Sequence, residues 1–284
     1  MSAQPTVTAA PPYFALRIAL FFGGYFLFIG VTLPFFPVWL EARGLTDTEI
    51  ASCIAIPMAL KVLLTPAAGM FADRTPNRRF AIRIFTTAAF VVFLSAWPAS
   101  TYTALLLTAG TATVLWYLSM PVIDALALTG VRRFRLDYGR MRALGSVTFI
   151  VANLGAGAIL GAVAPEAIFW MMAVGLAVTM ATAITLPVTP PALRALDDEA
   201  RPPNQSAWRV VGNPAFLALL AAGGFIQASH GVVYGFGSLY WQRLDFSGFQ
   251  IGSLWAIGVV CEIILFLWSG AVVRRIGDVG LILI

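Results

Sequence analysis

The sequence predicts an all-α transmembrane protein with eight membrane helices, and three observations lead there. Sixty per cent of its 284 residues are hydrophobic and 11% are charged, against about 25% charged in an ordinary soluble domain. The apolar residues come in runs of about 20, the length a helix needs to cross roughly 30 Å of hydrocarbon. The arginines gather in alternate connections between those runs. Barrel strands do not fit, because they would be segments of about ten residues alternating apolar and polar, whereas these runs are apolar throughout.

In chain order the spans are Phe14–Val38, Ile50–Met70, Phe80–Pro98, Tyr102–Thr129, Ala143–Val163, Ala167–Leu186, Phe216–Tyr240 and Phe249–Ala271. The first is a retained helix and not a cleaved leader, since MSAQPTVTAAPPY lacks a basic stretch, a short apolar core and a cleavage site. Short connections around Glu41–Glu49, Pro98–Thr101, Ala164–Glu166 and Gln242–Phe249 make neighbouring spans antiparallel hairpins. The long polar stretch Thr189–Asn213, rich in proline and mixed charge, reads as a linker. It divides a six-helix bundle, residues 1–188, from a second and incomplete bundle, residues 214–284. The final Leu281–Ile284 starts another apolar run, so a ninth helix, cut short, is expected there.

A net charge of +5 invites the idea of an anionic partner such as nucleic acid, but its distribution argues for topology instead. With the N-terminus cytoplasmic, one side holds Arg17, Arg74, Arg78, Arg79, Arg83, Arg132, Arg133, Arg135, Arg140, Arg142, Arg194, Arg201, Arg209, Arg274 and Arg275. The other side holds Arg43 and Arg243. That asymmetry follows the positive-inside rule for a multi-pass protein of the bacterial inner membrane. Cys53 and Cys261 both fall within spans, where a free thiol behaves as a small apolar group, and no disulfide is expected.

After the second span the chain reads Gly69-Met-Phe-Ala-Asp73-Arg74-Thr-Pro-Asn-Arg78-Arg79, and after the eighth it reads Gly270-Ala-Val-Val-Arg274-Arg275-Ile-Gly277-Asp278. A glycine, three residues and a charged cluster thus recur after the second helix of each set, as in parallel repeats. The first of these segments resembles the signature of the major facilitator superfamily, G-x-x-x-D-R-x-G-x-R/K-R/K, with Pro76 in place of the second glycine. The resemblance implies two six-helix halves. In that frame Gly69 would permit close helix approach, and Asp73 would pair with arginines and helix N-termini across the gap between the halves.

Further segments are similar to the branch of phenylpropionate permeases and lactose permease-like transporters. They are Pro121–Asp124 with Leu136–Ser146, Ala228–Phe236, Leu239–Gln242 and Leu254–Glu262. This resemblance implies secondary active transport, with proton-coupled uptake of a small organic solute: an aromatic carboxylate, a sugar or a nucleoside-like molecule. It also implies that Asp124 and Arg142 bind the solute and that Glu262 takes part in binding and proton coupling.

The residues point the same way on energetic grounds. An ionisable group near the centre of a membrane helix costs at least about 2.5–3.5 kcal/mol, so each is a functional candidate. Lys61, Asp124 and Glu262 are such groups. Asp124 and Arg142 come from facing ends of adjacent antiparallel helices, within reach of an extended arginine, which fits either a solute site or a structural ion pair. Lys61 suits either a counter-charge for an anionic solute or a permanent partner for a buried acid. His230, the one histidine, shares a helical stripe with Gln227, Tyr234 and Trp241; it fits a titrating group or a neutral hydrogen-bonder. Trp255, seven residues before Glu262, offers an aromatic platform, and Tyr25, Tyr117 and Asn153 are lesser candidates for lining the cavity.

One histidine and two separated cysteines build no zinc site, and no phosphate-binding glycine loop is present. The expected partners are therefore a small solute, protons and the bilayer, for a monomer that is no enzyme and carries no cofactor. A major facilitator exporter, or a sensor retaining the fold without transport, are the competing readings.

Overall fold

Each long apolar run folds as a helix in the computed structural model, which describes residues 10–188 and 212–283, and past Ile264 only the backbone and Arg275. Helix α1 spans Phe14–Ala42, α2 Asp47–Arg74, α3 Arg78–Leu94, α4 Tyr102–Phe134, α5 Tyr138–Leu160, α6 Ala167–Thr185, α7 Pro214–Arg243 and α8 Gly248–Leu283. No strand occurs among the described residues. Most of the Thr189–Asn213 linker lies outside them.

Local chemistry sets the helix ends. Thr46 and Glu49 form a reciprocal capping box at the start of α2. Asn77, Asp137 and Asn213 accept backbone N–H groups at the starts of α3, α5 and α7. Ser247 and Gln250 form the same reciprocal arrangement below α8. Arg135, with φ of 53°, ends α4 in the left-handed conformation and turns the chain into α5.

One expectation fails at the last helix. The sequence predicts a break after Ala271 and a new helix at Leu281, yet α8 runs unbroken for 36 residues to Leu283. Gly277 and Gly280 each weaken a helix by about 1 kcal/mol relative to alanine, but neither removes a hydrogen bond and no proline intervenes. The repeated segment Gly270–Asp278 is therefore the continuation of a helix and not a loop.

In lipid, apolar surface gains little by leaving one hydrocarbon for another, so the helices must be held by close packing and polar contacts. The central helix is α1, packed against both α5 and α6. A Cβ at Gly30 would lie 2.7 Å from Ala152 Cβ, and one at Gly175 would lie 2.7 Å from Phe28 Cα. Only glycine permits those two crossings. Between α1 and α4, Tyr25 stacks on Trp116 at 3.7 Å and Phe28 meets Trp116 edge-on at 4.8 Å. Arg83 reaches from α3 to the last carbonyls of α6, donating to Ala183 O at 3.2 Å and to Ile184 O, which places a cation on the negative end of a helix.

The odd-numbered helices all begin at one face of the molecule, here the near face, and end at the opposite, far face. Near the far face α8 lies directly on α5. A Cβ at Gly157 would stand 2.3 Å from Gly248 O, and a Cβ at Gly252 would stand 2.3 Å from Asn153 O. Backbone meets backbone there without intervening side chains. Beside this contact, Arg243 of α7 donates to Glu41 at the end of α1 at 2.9 Å, and to Asp47 at the start of α2 at 2.7 Å.

Toward the near face the helices part. Gly235 of α7 still touches Ile54 of α2, but a Cβ at Gly231, one turn farther in, would meet nothing within 4 Å. The same holds for Gly258 of α8, six residues past the Gly252 contact, and for Gly69 of α2. The result is a wedge, closed at the far face and open at the near face.

Candidate functional site

The helix rise gives the depth of the ionisable residues singled out in the sequence. Arg142 lies eleven residues inward from Asn153 on α5 and Glu262 ten residues inward from Gly252 on α8. Each is thus ~15–17 Å inside the closed contact. On the other flank, Lys61 is seven residues inward from Ile54 on α2 and His230 five residues inward from Gly235 on α7, or ~8–10 Å.

The wall formed by α1, α2, α4 and α5 carries the cations. Lys61 is half-buried, with Nζ 4.5 Å from the centre of the Tyr117 ring. Among the described residues no carboxylate lies within 4.0 Å of it. The Arg142 guanidinium rests on the rings of Phe26 at 4.6 Å and Phe22 at 5.3 Å. Its Nη1 is buried and has no hydrogen-bond partner among the described residues.

The pair that spacing allows between Asp124 and Arg142 is not formed. Asp124 Oδ1 instead accepts a hydrogen bond from the Tyr138 hydroxyl at 2.8 Å, and no ion pair joins it to Arg142 among the described residues. Tyr25 is buried under Trp116 instead of facing open space, while Tyr117 stays half-exposed beside Lys61. Asn153 is fully buried, with Nδ2 bonded to Phe149 O at 2.8 Å and its own carbonyl oxygen set against Gly252. It belongs to the far-face contact.

The facing wall comes from α7 and α8. Glu262, Gln227 and His230 are exposed, and His230 Nδ1 lies 2.8 Å from Ile226 O, the carbonyl one turn back. The rings of His230 and Tyr234 are 5.5 Å apart, and Tyr234 and Trp255 are 5.8 Å apart. Tyr234 lies close enough to Glu262 to feel its charge. Trp255 is buried, and its Nε1 donates to Ser238 Oγ at 2.9 Å, fastening α8 to α7.

At the near face, Asp73 accepts from Arg78 at 3.2 Å across the α2–α3 turn. Arg74 and Arg79 flank that turn, Arg74 exposed and Arg79 half-buried. A Cβ at Gly69 would meet nothing within 4 Å among the described residues. Sequence reasoning passed over Tyr138, Ser238, Trp116 and the Arg243 cluster; Tyr138 sits four residues before Arg142, the i, i+4 spacing of one helix face, which could have marked it.

Three comparisons bear on this arrangement. The model of the MFS_1 like family matches residues 13–284. The probable 3-phenylpropionic acid transporter of Escherichia coli (strain K12) is 29% identical over 272 residues, covering 94% of this chain and 70% of that protein. The crystal structure of the nucleoside transporter NupG superposes with a TM-score of 0.75 at 17% identity, over 94% of this chain and 69% of that one. A single-residue mutant of NupG superposes with a TM-score of 0.77 at 16% identity, over 93% and 69%. The NupG likeness speaks for the fold.

Proposed function

The chain belongs to the MFS_1 like family, and from that premise we propose that it is a secondary active transporter carrying a small organic anion together with protons. In this reading α1–α6 form one bundle and α7 and α8 belong to a second. The bundles rock about the wedge so that it opens alternately to either side. The near face is cytoplasmic, since the arginines gather there, and the conformation described is the inward-open one.

The observation that carries this reading is the pair of cations without counter-ions. Lys61 and Arg142 line one wall with no carboxylate bonded to either among the described residues, and a charge at membrane depth needs a partner, water or a ligand. An anionic solute supplies one. The aromatic rings that carry both cations, and Tyr234 with Trp255 opposite, suit a solute with an aromatic body. The relative named for 3-phenylpropionic acid supports reading the solute as an aromatic carboxylate.

Glu262 is the proton carrier in this scheme. It is exposed on α8 at about the depth of Arg142, and it resembles the coupling glutamate of the lactose permease-like branch. A carboxylate there, neutral when protonated and charged when not, changes the balance of the cavity as the halves move.

Reconstituted vesicles test the proposal directly. Labelled phenylpropionate should accumulate inward only under a proton gradient. Glu262→Gln should abolish accumulation while leaving solute exchange. Uptake independent of the gradient, or normal accumulation by the glutamine variant, overturns the coupling scheme. Gradient-driven expulsion makes the protein an exporter.

A further inference from the structure

We propose that Tyr138 is a positioning residue, one that occupies Asp124 and so keeps Arg142 available to an anionic solute; the solute part rests on the function proposed above. Opposite charges on adjacent helices should find each other. Asp124 lies close enough to Arg142 to feel its charge, yet they form no ion pair among the described residues.

The geometry shows what intervenes. The Tyr138 hydroxyl donates to Asp124 Oδ1 at 2.8 Å. Its ring meets Phe22 edge-on, with centroids 6.1 Å apart and planes at 80°. Phe22 in turn carries the Arg142 guanidinium, which also rests on Phe26. Tyr138 and Arg142 share a face of α5 one turn apart, so a single patch of α1 fixes both. The carboxylate receives a neutral donor and the arginine is parked on aromatic rings, where its Nη1 is buried and unbonded.

A guanidinium N–H left in that state is poised to bond an incoming anion. Bonds between charged groups are stronger than neutral ones, so Arg142 would displace Tyr138 at Asp124 if the rings did not hold it back. Removing the hydroxyl tips the balance: Asp124 loses its donor, and the nearest replacement is Arg142. The internal carboxylate then occupies the place that a solute carboxylate would take.

Two measurements on the full gene product test this. First, Arg142 is modified with phenylglyoxal and quantified by mass spectrometry, with no solute present. Tyr138→Phe keeps the ring on Phe22 and should slow Arg142 modification about tenfold, on the scale of a charged hydrogen bond. The double variant Tyr138→Phe/Asp124→Asn should restore it. Unchanged reactivity in Tyr138→Phe, or a loss that the double variant fails to restore, overturns the proposal, the latter because a merely structural defect would persist without the acid. Second, phenylpropionate binding should weaken by a similar factor in Tyr138→Phe and recover in the double variant to the level of Asp124→Asn alone. Wild-type protein that shows the reactivity pattern but binds no phenylpropionate would refute the solute reading and leave Tyr138 its role.

Discussion

Replacing Gly252 by alanine should open the far face. The added Cβ would stand 2.3 Å from the Asn153 carbonyl oxygen and 3.0 Å from its carbon. Both are backbone atoms within α5, so no side chain can swing aside, and α8 must move away. Overpacking of this kind costs about 1–3 kcal/mol. It is felt only where α8 lies on α5, so it weighs on the far-closed conformation and not on one in which these helices have parted. With 1.4 kcal/mol per factor of ten, the balance should shift about 5- to 150-fold toward far-open. A reporter lies next door: Ile251, the residue before Gly252, is buried at 3% exposure. In a background lacking Cys53 and Cys261, a cysteine in place of Ile251 should react with an impermeant maleimide applied to the far face, and Gly252→Ala should raise its rate within that range. An unchanged or slower rate in folded protein would refute the reasoning, for it would mean that the contact bears no part of the closure.

Other outcomes follow from the same geometry. Single cysteines in the Thr189–Asn213 linker and the Gln242–Phe249 loop should label from opposite sides of intact cells, the loop from outside; the reverse pattern overturns the assigned topology. Arg243→Asp should raise far-face labelling of the Ile251 cysteine, by less than Gly252→Ala because exposed ion pairs are weak and screened by salt, and adding Asp47→Arg should lower it again. Failure of the swap to recover would dismiss the cross-helix ion pair as a determinant of closure. Trp255→Phe removes the bond to Ser238 and should cost about 0.5–1.5 kcal/mol, read as a lower unfolding midpoint that Ser238→Ala in the same protein does not lower further.

Much of the fold is legible in the sequence, because a membrane helix announces itself locally as some 20 apolar residues, and arginine segregation gives an expected sidedness without any knowledge of contacts. Lys61, Asp124 and Glu262 are conspicuous for the same reason, as charges within apolar runs. Partnerships are less visible. Spacing permits Asp124 to reach Arg142, but whether it does depends on Tyr138 and on two phenylalanines of α1 more than a hundred residues earlier. Arg243 meets Glu41 and Asp47 only because the chain folds back on itself across 202 and 196 residues. Among 25 glycines, nothing local separates Gly157, Gly248 and Gly252, which carry the contact, from Gly69, which touches nothing here. The end of α8 was misread because glycines and charges commonly mark a turn, whereas stopping a helix requires a lost hydrogen bond or a clash.

The contact between α5 and α8 has a consequence for how such a protein can change over generations. Its surfaces are bare backbone, so it offers almost no room for variation: any side chain at Gly252 or Gly157 meets a fixed wall. Lys61, Arg142 and Glu262, nearer the near face, lie among side chains that can be exchanged without disturbing that joint. Residues around those charges can therefore be exchanged while the joint stays as it is, so the two regions can vary nearly independently.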